Sequence, residues 1–226
     1  MATSGRMFKD AIYQEFARIG KATASPRRLE LLDLLCQGPC TVEQLARQSN
    51  QSLANTSQHL KVLRSARLVD ADKRGLHVTY RLADNEVCEF FGSLRRLAES
   101  RLAEIERVTR EYLEERDQLE PVDRAALIER VRDGAVTVLD VRPRHEYRSA
   151  HIPGALSVPL AELTNRLADF PRDREVVAYC RGPYCVLAVE AVETLRAHGF
   201  RAVRLEDGIP EWRALGLHVA VGDEAR

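Results

Sequence analysis

The chain has 226 residues, with 34 Lys and Arg against 34 Asp and Glu, a formal charge of zero. At 45% apolar and 30% charged residues it has a globular balance, which excludes a disordered polymer. Its length suits one large domain or two small ones. The zero argues against a nucleic-acid binder only if the charge is evenly spread. Residues 1–82 carry 13 basic and 7 acidic side chains (+6), residues 83–120 carry 6 and 11 (−5), and residues 121–226 carry 15 and 16 (−1). The neutrality is a cancellation between segments of opposite sign.

No apolar run reaches the length of about 18 residues that a membrane span needs. The first residues lack an apolar stretch followed by a small-residue cleavage site, so no secretory signal is expected. The five cysteines (Cys36, Cys40, Cys88, Cys180 and Cys185) are therefore expected to be reduced, and the cytoplasm is the expected compartment.

In chain order, Phe8–Ile19 carries apolar residues at helical spacing. Ser25-Pro26 opens a leucine-rich helix to Cys36, which Gly38-Pro39 ends. Thr41 caps Val42–Gln48, with Gln44 as its capping-box partner, and a tight turn leads into a helix over Ser52–Arg64. Leu68–Asp70 and Val78–Leu82 flank the polar tip Asp72-Lys73-Arg74-Gly75 and read as a two-stranded wing. Residues 84–119 hold no proline and one glycine, with Leu94, Leu97, Ile105, Val108 and Tyr112 in one stripe. They read as one long helix, packed on a partner helix or serving as a linker. Beyond 121 the helix Arg124–Arg132, the apolar runs Val136–Val141, Glu175–Tyr179 and Ala202–Leu205, and helical stretches at 161–168 and 186–198 alternate as in a parallel α/β sheet. The expected divisions are 1–83, 84–120 and 121–226.

Within 41–64, one short helix, a turn and a second helix precede the wing. The second helix offers Gln51, Ser52, Asn55, Thr56, Ser57, Gln58, His59 and Lys61 among Leu53, Leu60 and Leu63. Amide and hydroxyl side chains on such a helix read base edges in the DNA major groove. Lys61, Arg64, Lys73, Arg74 and Arg81 are placed to meet phosphates. The alternative, a solvated polar helix face, is disfavoured by the +6 segment and the basic wing.

The run Leu53–Leu63, with Leu68-Val69 and Gly75–Leu82, resembles the ArsR family of winged-helix repressors over about residues 8–115. The resemblance implies a homodimer that binds a palindromic double-stranded DNA operator and is released by a chemical signal. The metal-binding cysteines of its metal-sensing members fall here on Thr41 and Glu43, and 84–120 contains no histidine, so no metal is expected. Cys36, Cys40 and Cys88 read as small buried hydrophobes, with a Cys36–Cys40 redox pair as the alternative.

A second site lies at Val176–Cys185, where a buried strand runs through Cys180, Arg181, Gly182, Pro183, Tyr184 and Cys185 into a helix. A cysteine at that junction faces loop and helix N–H groups, which favour its thiolate and cradle an anion. Together with Val138–Pro143, Glu146-Tyr147, His151–Ala155 and Glu206–Trp212, this loop resembles the rhodanese domain over roughly 121–220. The resemblance implies a sulfurtransferase that takes sulfane sulfur onto Cys180 as a persulfide and passes it to a thiol. Residues 181–185 would be the cradle, and Asp140 and Arg142 either loop support or an ion pair holding the strand end. His151 reads as a structural residue of its turn. Val186 stands where a related phosphatase loop needs arginine, which argues against phosphate chemistry. Cys185 replaces the usual cationic or hydroxyl residue, which disfavours thiosulfate and makes Cys185 a candidate resolving or redox thiol.

The expected fold is thus an α+β winged helix-turn-helix domain followed by an α/β rhodanese domain with a parallel sheet. The expected function is an ArsR-type DNA-binding regulator with sulfur chemistry at Cys180, needing a sulfur donor and a thiol acceptor but no cofactor or membrane. Two alternatives stay open: a sulfurtransferase whose N-terminal half dimerises or targets it, and a repressor with a catalytically idle second domain.

Overall fold

The computed structural model describes residues 2–75, 77–114 and 124–223. The expectations that fall on 115–123, including the end of the long helix, lie outside the described residues. Two compact units divide at Arg95/Arg96.

The first unit begins with α1 (Ala2–Thr23), longer than its periodicity predicts, and α2 (Pro26–Cys36), opened by Ser25 and Pro26 as expected. Strand β1 (Cys40–Thr41) leads into α3 (Val42–Gln48), where the capping box forms. The Gln44 amide N–H donates to the Thr41 hydroxyl at 3.3 Å, and Gln44 Oε1 accepts the Thr41 N–H at 2.7 Å. Asn50, at φ 49°, makes the left-handed turn into α4 (Leu53–Ser65). The wing strands β2 (Val69–Arg74) and β3 (His77–Leu82) pair antiparallel, with Val69 opposite Leu82 and Arg74 opposite His77. Unexpectedly, β1 joins them in the order β1-β3-β2.

Leu31, Leu32, Leu45, Leu60 and Leu63 are fully buried at the centre of this unit, and Val87 of α5 (Asn85–Arg101) joins them. Each such side chain contributes roughly 1.5–3 kcal/mol on burial. Two expectations are corrected here. The long helix is two: α5 ends at Arg101 and α6 (Ala103–Glu114) follows, the Ile105 N–H bonding to the Leu102 carbonyl three residues back. The cysteines are not all reduced: packing of α5 on α2 brings the Cα atoms of Cys36 and Cys88 to 5.6 Å, and the two form a disulfide. Cys40 is buried and lies outside the disulfide, so the Cys36–Cys40 pairing is overturned: Cys36 has its partner on another helix.

In the second unit, α7 (Arg124–Arg132) precedes β4 (Thr137–Asp140), α8 (Arg144–Ser149), β5 (Leu156–Ser157) and α9 (Leu160–Leu163). The helix expected at 161–168 tightens into a 3-10 turn over Thr164–Asp169. Strand β6 (Val176–Tyr179), α10 (Val186–Ala197), β7 (Ala202–Arg204) and α11 (Ile209–Ala214) complete it. The strands are parallel in the order β5-β4-β6-β7. All four residues of β6 are buried because both sheet faces are covered. Val177 and Tyr179 join a core with Leu127, Tyr147 and Trp212, while Val176, Ala178 and Cys180 join the opposite core with Val192 and Leu195. That alternation is the period-two pleat of a strand, and it decides which face receives Cys180.

Candidate functional site

Cys180 follows the last residue of β6, at the carboxyl end of the sheet, where parallel α/β sheets receive ligands. The next four residues turn sharply. Gly182 sits at φ 146°, the Cys185 N–H donates to the Gly182 carbonyl at 3.2 Å, and Cys185 becomes the residue preceding α10. The Cys180 thiol donates to the Cys185 carbonyl oxygen at 3.3 Å, and the two thiols perturb one another's titration. Backbone N–H groups of Gly182 and Ala188 reach Cys180, and those of Arg181 and Leu187 reach Cys185. Loop and helix start therefore cradle two sulfurs, not one.

The charge sits differently from expectation. Burial pushes the Cys180 thiol well above its usual range, and the neighbouring Cys185 raises it further. Cys185 is held down to about 6, first by the hydrogen bond from Cys180, then against burial by two N–H groups and the Arg181 charge. Burial thus opposes the charge on Cys180, the N–H groups and Arg181 favour it on Cys185, and the two thiols titrate as one pair. Cys180 is 2% exposed, and this burial opposes the thiolate that the N–H cradle was expected to favour there.

The loop is braced from three sides. Arg181 forms a bidentate pair with Glu146 of α8, at 2.7–3.2 Å, and Glu146 is 1% exposed. Burial alone would lower the Arg181 pKa, but the hydrogen bonds and charge of Glu146 raise it above its ordinary value. Arg204 of β7 donates to the Pro183 carbonyl at 2.9 Å and pairs with Glu206 at 2.8 Å. Gly208 closes the third side: a Cβ there would lie 2.2 Å from the Arg181 carbonyl oxygen. Sequence reasoning assigned no role to Glu146, Arg204 or Gly208, although two of them lie in the motifs it singled out.

Asp140 and Arg142 form the ion pair of the strand-end reading. Both side chains are fully buried, and Arg142 reaches Asp140 at 2.6–3.2 Å and the Ala150 carbonyl at 2.7 Å. Burial opposes the guanidinium charge, and Asp140 more than restores it. The Tyr179 hydroxyl donates to Asp140 at 2.6 Å and accepts the Ile152 N–H at 3.1 Å, so this cluster anchors the residue before Cys180. His151 is fully buried, its Nδ1 bonded to the Tyr147 carbonyl at 2.8 Å and its ring stacked 3.7 Å from Tyr147, as a structural turn residue.

In the first unit, α4 presents Asn55, Gln58, Lys61 and Arg64 to solvent, with Gln51, Ser57 and His59 half-buried. Lys73 is exposed on the wing, and the Arg74 side chain lies outside the described residues. Three expectations change. Thr56 is fully buried, its hydroxyl bonded to the Ser52 carbonyl at 3.0 Å, because it falls on the same face as Leu60 and Leu63. Ser52 caps α4, accepting the Asn55 N–H at 3.2 Å, and Arg81 pairs with Asp70 at 2.8 Å. Among the described residues, no group of three His, Cys, Asp or Glu is placed to hold a metal ion, and no helix is long and apolar enough to cross a membrane.

Residues 25–71 match the family described as bacterial regulatory protein, arsR family, and residues 123–215 match the rhodanese-like domain. The HTH-type transcriptional regulator Rv0324 of Mycobacterium tuberculosis is 42% identical over 214 residues, 95% of this chain and 94% of that protein. A sulfurtransferase of Allochromatium vinosum is 32% identical over 100 residues, 43% of this chain and 92% of its own length. A solved homodimeric winged helix-turn-helix DNA-binding domain from Mycobacterium bovis, a possible ArsR-family regulator, is 38% identical with a TM-score of 0.40, covering 42% of this chain and 87% of that one.

Fold and site together define a winged-helix DNA-binding unit followed by a rhodanese-like unit. The chain belongs to the arsR family of bacterial transcriptional regulators, in a form carrying a C-terminal rhodanese-like domain.

Proposed function

We propose that the chain acts as a cytoplasmic, homodimeric DNA-binding repressor whose second domain takes sulfane sulfur from a donor onto Cys180 as a persulfide. The persulfide is passed to a thiol acceptor or sets the affinity for the operator. The observation that carries this reading is the pair of thiols between the end of β6 and the start of α10, the Cys180 sulfur 3.3 Å from the Cys185 carbonyl oxygen, where backbone N–H groups favour a thiolate. Proton transfer along their hydrogen bond delivers the thiolate to Cys180, the deeper sulfur, where the same N–H groups stabilise a persulfide anion. Phe8, Ile12 and Phe16, exposed at four-residue intervals along α1, support a second copy as partner. Gln58 and Asn55 are the base-reading side chains, with Lys61, Arg64 and Lys73 on phosphates.

The test weighs the intact protein after incubation with inorganic polysulfide. A gain of about 32 Da that is lost in Cys180→Ser is the expected result, and no gain refutes the sulfur reading. Gel-shift titration of promoter DNA with and without the donor tests the coupling. Unchanged affinity removes it while leaving the persulfide intact.

A further inference from the structure

The cradle holds two sulfurs, and the side chains around it disfavour the substrate that a one-sulfur loop uses. Arg181 is turned back onto Glu146, and Arg204, beside the loop, is turned onto Glu206. The residues between, Gly182, Pro183 and Tyr184, bring no cation. A dianion such as thiosulfate meets internally balanced guanidinium groups. The exposed rim of the loop carries an aromatic ring and an aliphatic side chain instead: Tyr184, its hydroxyl donating to Glu99 at 2.8 Å, is 48% and Val186 40% exposed. A donor with one charge and an organic body suits that rim.

We propose that the loop is a two-thiol reductase of organic hydropersulfides, in which Cys180 accepts the sulfane sulfur and Cys185 expels it as sulfide, closing a Cys180–Cys185 disulfide. This rests on Cys180 taking sulfur as argued above. In the first step the Cys180 thiolate attacks the terminal sulfur of R–S–SH. The donor S–S bond breaks, RS⁻ leaves with the electron pair and takes the proton that Cys185 received from Cys180, giving RSH and a Cys185 thiolate, and Cys180 carries S–SH. In the second, the Cys185 thiolate attacks the Cys180 sulfur and HS⁻ leaves. The sum is R–S–SH plus two thiols giving RSH, hydrogen sulfide and one disulfide: the sulfane sulfur gains two electrons and the two cysteines lose them. An external dithiol restores the loop by exchange. The Cys180 sulfur lies 3.3 Å from the Cys185 carbonyl oxygen, and Cys185 packs against the core that holds Cys180, so the second step is intramolecular, ahead of any external thiol.

The experiment mixes reduced full-length protein with one equivalent of cysteine hydropersulfide, quenches in acid, digests with trypsin and weighs the peptides, with released sulfide trapped by a bimane. Cleavage after Arg174, Arg181 and Arg196 puts Cys180 in peptide 175–181 and Cys185 in peptide 182–196, so the new disulfide appears as a cross-link between them and is distinct from Cys36–Cys88. Wild-type protein is expected to give this cross-link and an equivalent of sulfide. Cys185→Ser is expected to stop with about 32 Da on peptide 175–181 and no sulfide. Wild-type protein that holds the same added mass without cross-link or sulfide overturns the reductase and leaves the persulfide reading standing. A Cys185→Ser protein that gains no mass overturns both. Cross-linking is expected at least tenfold slower with thiosulfate, and equal rates overturn the choice of donor.

Discussion

Gly208→Ala isolates what the loop geometry contributes. The Gly208 backbone is at φ −94° and ψ −171°, a conformation open to any residue, so the substitution introduces no backbone strain. What changes is space. The new Cβ would lie 2.2 Å from the Arg181 carbonyl oxygen, 2.4 Å from its carbon and 2.9 Å from the Gly182 nitrogen. All three are backbone atoms, so no flexible side chain can swing away, and ordinary contact requires the two segments to separate by about 1 Å. Overpacking of this kind costs about 1–3 kcal/mol. The displaced atoms are those that carry the N–H groups of Arg181 and Gly182 to the two sulfurs. A misplacement near 1 Å at a reacting centre costs about a hundredfold in rate.

The assay is the single-turnover rate of persulfide formation by intact mass, read beside a thermal melt. Gly134→Ala is the control: Gly134 is at φ 65° with nothing within 4 Å, before the opposite end of β4. It is expected to lose about 1–2 kcal/mol through left-handed strain and to react at the wild-type rate. Gly208→Ala protein that melts cooperatively and reacts within twofold of wild type refutes the claim that this contact shapes the cradle.

Removing the Cys180 thiol takes away the largest cause of the low Cys185 pKa. In Cys180→Ala the pH midpoint for iodoacetamide labelling of Cys185 should therefore rise from about 6 toward the ordinary thiol value, and an unmoved midpoint rejects the thiol–thiol hydrogen bond. Labelling of Cys185 at pH 7 should therefore slow in the variant. Asp140→Asn leaves the Arg142 charge buried without its counter-ion and should cost about 3–5 kcal/mol. Trp212, the single tryptophan and 2% exposed, reports urea unfolding of this unit alone, and a loss below about 1 kcal/mol contradicts the strand-end role. On DNA, Lys61→Ala should lower the salt slope by about one, and Gln58→Ala should cost about 1–3 kcal/mol of discrimination at one base pair. Thr56→Ala, at a buried position, should weaken the fold without relaxing sequence preference, and altered preference would return Thr56 to the interface.

The parts of this molecule that were legible in its sequence are those fixed by neighbours along the chain. Ser25-Pro26 and the Thr41 and Gln44 capping box each specify their element within a few residues and formed where expected, whereas the expected polar wing tip is strand, Asp72, Lys73 and Arg74 pairing with Thr79, Val78 and His77. The junction of strand, loop and helix at Cys180 is of the same kind, because an apolar run meeting Gly-Pro and then a helical period needs no distant partner. What escaped depends on residues far apart. Cys36 and Cys88 are 52 positions apart and meet only because α5 lies on α2, a packing that no local pattern encodes. The distribution of charge over Cys180 and Cys185 escaped for a related reason. An N–H cradle alone favours a thiolate on either sulfur, and burial decides between them, which depends on β6 being covered on both faces. Gly208 is the sharpest case. Its dihedral angles are ordinary, so nothing in the 206–210 segment itself requires glycine; the requirement comes from the backbone of residues 181–182, some 26 positions upstream. The local code places a cysteine at the end of a strand, and the contacts of Glu146, Arg204 and Gly208 with the loop make that cysteine part of a site.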